Sequence, residues 1–121
     1  MILSDNQKIY VGDRAITKVM FETLANKISI EFDCVSIFET ERWIPGESID
    51  IDNCVIDFFE VTDYFIKPLG FTPNDFIINI ELSSHKVNIK TLGELYNSQN
   101  HQPDIVEGEL YIEFGRYAIN E

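Results

Sequence analysis

Basic residues are scarce in this chain: nine Lys and Arg stand against 21 Asp and Glu, a formal net charge of −12 over 121 residues. Phosphate binding needs clustered Lys and Arg, so nucleic acid and anionic membrane surfaces are disfavoured as partners. No apolar run approaches the roughly 18 residues of a spanning helix. The N-terminal stretch from Met1 to Lys8 has neither the basic start nor the apolar core of a secretory signal. A cytoplasmic location is therefore expected. The two cysteines, Cys34 and Cys54, form no Cys-x-x-Cys pair. Free buried thiols are expected, with a disulfide only if the chain is exported. The two histidines, His85 and His101, have no partner at metal-ligand spacing. No P-loop, dinucleotide fingerprint, Gly-x-Ser-x-Gly or His-Glu-x-x-His occurs. The sequence thus assigns no catalytic residue, no metal and no cofactor, and a non-enzyme is expected. Repeats and low-complexity linkers are also missing, which leaves one domain spanning 1–121.

What is present is acid, concentrated in one stretch. Residues 31–63 carry Glu31, Asp33, Glu39, Glu41, Glu47, Asp50, Asp52, Asp57, Glu60 and Asp63, with Arg42 as the lone base. Such lopsided charge costs self-repulsion in the folded state and makes most sense where a basic partner meets it. Large aromatics lie among the acids. Phe38 and Trp43 could pack the long connection onto the core, and Trp43 and Tyr64 could equally be interface anchors. Paired carboxylates such as Asp50 and Asp52 could serve glycosidase or Mg²⁺ chemistry, but Asp50-Ile51-Asp52-Asn53 lacks the Gly and downstream Glu of a calcium loop. Solvated acids are the simpler account.

Periodicity points to an α+β fold, mainly helical, with three to four helices and a small antiparallel β element that includes a C-terminal strand. Asp13 is placed to cap a helix to about Ile30, with Ile16, Met20, Leu24 and Ile28 every four residues. Residues 33–49 read as a long connection broken by Pro45 and Gly46. A second helix is expected from Asp50, burying Ile51, Val55, Phe58 and Phe65 and ending at Pro68 and Gly70. The segment from Thr72 combines a helix start, Thr72-Pro73-Asn74-Asp75, with the strand-like alternation of Ile78, Ile80 and Leu82, and both stay open. Thr91-Leu92-Gly93-Glu94 reads as a capping box for a helix burying Leu92 and Leu95. Gln7 to Val11 and Glu109 to Phe114 read as strands. The expected core is Ile16, Met20, Leu24, Val55, Phe58, Phe65 and Leu95.

Asp50 to Phe65, Gly70-Phe71-Thr72-Pro73-Asn74-Asp75 and the Thr91-Leu92-Gly93-Glu94 box together resemble the acyl carrier protein family. The resemblance covers residues of about 13–97. It implies an acidic helix after a long loop and a phosphopantetheine carrier function. The attachment position falls on Ile51, which cannot be modified; the nearest serine is Ser48, in Glu47-Ser48-Ile49-Asp50, one helical turn early.

The charge distribution supports a different function: a non-catalytic acidic inhibitor, an immunity protein or antitoxin that occludes a basic, nuclease-type toxin. A nuclease surface must be positive to hold phosphates, so an acidic surface can mimic its substrate. The expected contact residues are Glu39, Glu41, Trp43, Glu47, Asp50, Asp52, Asp57, Glu60, Asp63 and Tyr64. The alternative is an acyl-carrier-like carrier or an interaction module within a larger assembly.

Overall fold

Ile, Val and Phe fill the inward positions of nearly every segment, and these residues fit a pleated, half-buried surface. The computed structural model, which describes residues 1–121, is accordingly built of strands: β1 Lys8–Tyr10, β2 Ile16–Glu22, β3 Lys27–Phe38, β4 Ile49–Phe59, β5 Asp63–Lys67, β6 Ile77–Leu82, β7 Lys86–Asn97, β8 Gln102–Glu113 and β9 Arg116–Asn120. All pairings are antiparallel. One sheet runs β1-β3-β4-β9, with β2 sharing the β3 edge with β1, and the other runs β5-β8-β7-β6. Their inner faces meet in a single core. Ile30, Phe32, Ile56 and Phe58 come from the first sheet, and Val87, Ile89, Leu110 and Ile112 from the second.

The mainly helical expectation is therefore wrong, because no α-helix forms; only a single 3₁₀ turn, Thr23–Ala25, interrupts the strands. The helix expected after Asp13 is β2 and the start of β3. Within β3, Ile28, Ile30 and Phe32 point inward while Ser29 and Glu31 point outward, a period of two. Leu24, expected in the core, is fully exposed at the turn, and Met20 is half-buried on the outer face. The helix expected from Asp50 is β4 and β5. Its helical spacing has a structural cause. The β3–β4 pair is irregular at Asp33 and Asn53, where Asn53 adopts φ +50°. Inward residues there fall three apart, Phe32 then Val35, and Ile51 then Cys54. That step imitates the i, i+3 spacing of a helix.

The Thr91–Glu94 box is not a cap but the middle of β7. The Thr91 hydroxyl is fully buried, within bonding distance of the carbonyls of Asp75, Phe76 and Leu92 at 3.3, 3.2 and 2.9 Å. Strand alternation prevails over the helix start at 77–82, which is β6, and the strands expected near Gln7 and Glu109 are present within β1 and β8.

The β5–β6 connection crosses the inner face of the β7–β8 hairpin, because β5 and β6 lie on opposite edges of that sheet. It docks through a reciprocal backbone pair between Thr72 and Glu94, both bonds 2.9 Å. Phe71 is buried where Gly93 and Gly108 leave the hairpin bare: a Cβ on either glycine would come within 2.6 Å of its ring. Two glycines in long strands thus have a packing reason.

Net charge of this size predicts a salt effect. Self-repulsion weakens as the Debye length falls from about 30 Å at 0.01 M to about 10 Å at 0.1 M. The melting temperature should rise by a few degrees when NaCl goes from 10 to 300 mM, a value that scanning calorimetry reads directly. A melting temperature that stays flat or falls would show that local ion pairs outweigh the net repulsion.

Candidate functional site

The acids expected to bind a partner are carried by the β3–β4 hairpin, its loop and the start of β5. Their geometry begins with register. Ser36 faces Asp50, Cys34 faces Asp52 and Ser29 faces Asp57 across the two strands. These side chains lie on the outer face of the first sheet, away from the core.

Two of the acids are fixed by serines. Ser36 Oγ donates to Asp50 Oδ1 at 2.5 Å and Ser48 Oγ donates to the same oxygen at 2.8 Å. The hydroxyls of Ser36 and Ser48 favour the charged form, and Arg14 adds attraction, so the Asp50 carboxyl titrates below the usual carboxylate range. Burial raises the Asp57 pKa, but this is outweighed. Ser29 Oγ donates at 2.5 Å, Asn120 Nδ2 donates at 2.8 Å, and Lys27 Nζ lies 3.5 Å away, so Asp57 also titrates low. Both are anions held in one orientation. Ser29 and Ser36 are themselves buried.

Trp43 folds back from the β3–β4 loop onto the outer face. Its ring stacks on Tyr10 at 4.3 Å between centroids and 3° between planes. The Arg14 guanidinium lies 5.3 Å from the Tyr10 ring and 5.6 Å from the Trp43 ring. Half-buried, with its indole N–H enclosed and unpaired, Trp43 holds the loop to the sheet. Tyr64 is about half exposed and packs against Phe21 at 5.3 Å.

These two aromatics do not meet. Trp43 belongs to the loop end of the hairpin, and Tyr64 lies beyond its other end, where the Val61 N–H donates to the Asn26 carbonyl and Asn26 Nδ2 donates back to the Val61 carbonyl. The twelve residues of β3 run between the ends, roughly 36 Å at strand rise. The expected site therefore divides. Glu39, Glu41, Glu47, Asp50 and Asp52 belong with Trp43 to the loop end of the hairpin, while Asp57, Glu60 and Asp63 belong to the end toward Tyr64. Glu39, Glu41, Glu47, Asp50, Asp52, Glu60 and Asp63 are exposed, and Asp57 is half-buried. The cations nearby are Lys8, Arg14 and Arg42 at the loop end, and Lys18, Lys27 and Arg116 at the other. Sequence reading missed Arg14 and Tyr10, whose contacts fix the loop; their separation from Trp43 by some thirty residues left no local signal.

Neither cysteine offers reactive chemistry. Both are free; Cys54 is buried in the core, and desolvation pushes its thiol up to about 11. Burial also raises Cys34. His85 Nδ1 lies 3.3 Å from the Phe114 carbonyl, and His101 Nδ1 lies 3.1 Å from the Tyr96 hydroxyl, in separate turns. No group of three or more His, Cys, Asp or Glu side chains is placed to hold a metal ion. Ser48, the serine nearest the carrier attachment position, immediately precedes β4, so the helix that the carrier resemblance requires there is absent. No helix is long and apolar enough to cross a membrane.

No curated protein and no solved structure matches the chain. A family model does, over residues 4–112, which takes in β1 to β7, all of β8 but its last residue, and the whole of the acidic hairpin. The chain belongs to that family, a family of unknown function designated DUF6258.

Proposed function

We propose that this protein is a non-catalytic, cytoplasmic inhibitor that binds and occludes a basic protein, in its leading form an immunity protein or antitoxin against a nuclease-type toxin. The observation that carries the reading is the outer face of the β3–β4 hairpin. Asp50 and Asp57 are held there as oriented anions by serines of the facing strand, and Glu39, Glu41, Glu47 and Asp52 stand exposed at the loop end of the same hairpin. Anions fixed before binding lose little side-chain entropy on meeting a basic surface. The exposed acids around them steer association. Tyr64, with Phe21, supplies apolar contact at the far end, while Trp43 keeps the acidic loop in place.

The test is capture from native lysate by the tagged protein at 50 and 500 mM NaCl, alongside the variant Glu39→Lys/Glu41→Lys/Glu47→Lys/Asp52→Lys. All four positions are exposed, so the variant should keep the strand signature in circular dichroism. The wild type should retain one stoichiometric basic protein that high salt releases. The variant should bind it at least about a hundredfold more weakly, chiefly through a slower on-rate. Undiminished capture by the folded variant would sink the proposal.

A further inference from the structure

β4 is longer than the strand that covers its outer edge. β9 pairs with it only from Val55 to Phe59, whereas β4 begins at Ile49. From Ile49 to Asp52, and again at Cys54, the strand is paired on one side alone, with β3. The backbone on the other side has no strand partner, and no loop bond reaches Ile49 to Asn53. Unpaired edge N–H and C=O groups form a template for another strand.

The side chains along this edge define what could pair. Ile49 and Ile51 are on the inner side, with Ile49 62% exposed and Ile51 packed against the margin of the core. Asp50 and Asp52 are on the outer side and exposed, with Glu47 just before them. Arg14 is the cation that reaches Asp50. A second copy of this chain is a poor match. Two such edges pairing antiparallel about Ile51 would set Asp50 of one copy opposite Asp52 of the other, twice, and like charges directly opposite are destabilising.

We infer that the open edge at Ile49–Asn53 takes an extended segment of a basic partner protein, which pairs with β4 in line with β9. The segment alternates with period two. Its apolar side chains lie beside Ile49 and Ile51, and its Lys or Arg side chains lie beside Asp50 and Asp52. Successive residues on one face of a strand are about 6.8 Å apart, which matches the two acids to two bases. Main-chain bonds give the affinity and the alternation gives the selectivity. This inference rests on the proposed acidic binding surface and specifies how part of it is used.

The probe is the acetylated and amidated hexapeptide Lys-Val-Arg-Val-Lys-Val, titrated into the full chain labelled with ¹⁵N. Two analogues carry N-methyl groups on alternate residues, one on the Lys and Arg positions and one on the Val positions. In an antiparallel pair only alternate N–H groups point at the neighbouring strand. The parent peptide should shift the amides of Ile49–Asn53. One analogue should bind at least about tenfold more weakly and the other about as well as the parent. Asp50→Asn/Asp52→Asn should weaken the parent peptide by a similar factor. Equal binding of both analogues overturns the inference, as do shifts confined to other surfaces. Concentration-dependent shifts at Ile49–Asn53 without peptide would overturn it in favour of a second copy. If the edge fails while the four-lysine variant still loses its captured partner, the acidic inhibitor stands and only the strand addition falls.

Discussion

Gly93→Ala should cost about 3 kcal/mol of stability or more, lowering the melting temperature by roughly 10 °C. The added methyl would overlap the Thr72 carbonyl oxygen and come within 2.6 Å of the Phe71 ring. The carbonyl is backbone, and it belongs to the reciprocal pair that docks the β5–β6 connection on Glu94. Neither side can give way cheaply. Gly108→Ala should behave alike, since its methyl would meet the Lys67 carbonyl at 2.5 Å and the same ring at 2.6 Å. Gly46→Ala is the comparison. Nothing lies within 4 Å of that position, and only its φ of +86° opposes a side chain, so about 1 kcal/mol is expected. Phe71→Ala, which empties the space instead of overfilling it, should cost about 3 to 5 kcal/mol. Urea denaturation of the four variants measures the order. Gly93→Ala as mild as Gly46→Ala would mean that the connection does not lie on the hairpin.

Asp57→Asn should destabilise the fold by about 2 kcal/mol at pH 7, and the loss should disappear in acid. Ser29, 2% exposed, would lose the carboxylate it donates to, and Lys27, 3.5 Å from that carboxylate, would lose its charge partner. The folded-state pKa of Asp57 lies below the ordinary value of 3.8. A depressed carboxylate stabilises the fold fully above the unfolded-state value and loses that contribution as pH falls through the folded one. The gap between wild type and Asp57→Asn should therefore hold steady from pH 8 to about 5 and close below about 4. Total stability follows a different course, because protonation of the other acids relieves repulsion as pH approaches the isoelectric point near 4.4. The difference between the two proteins isolates the single carboxylate. A gap that widens in acid would contradict the serine-bound geometry.

The charge and its place follow from composition alone. Ten acids between Glu31 and Asp63 are a property of composition, and they lie on neighbouring strands and their connections. The strand at Glu109–Glu113 was legible too, because an uninterrupted alternation has one geometric meaning. The other elements were legible only in part. Ile16, Met20, Leu24 and Ile28 satisfy a helical period, yet Ile16 and Ile28 are core, Met20 is on the outer face and Leu24 is in solvent. An apolar-rich stretch can satisfy two periods at once, and long-range pairing selects one. At Asp33 and Asn53 the irregular step hides the strand period outright.

Which side chains work together depends on long-range pairing. Arg14, Tyr10 and Trp43 converge because β1 and the β3–β4 loop meet at one end of β3. Ser29 and Ser36 hold Asp57 and Asp50 because the hairpin register puts them opposite. Gly93 and Gly108 make a seat for Phe71 because β5 and β6 occupy opposite edges and their connection must cross between. Each of these is a contact between residues far apart in sequence. Local propensity acts over a few residues, so register, strand order and the shared site follow from the burial of one core by two sheets.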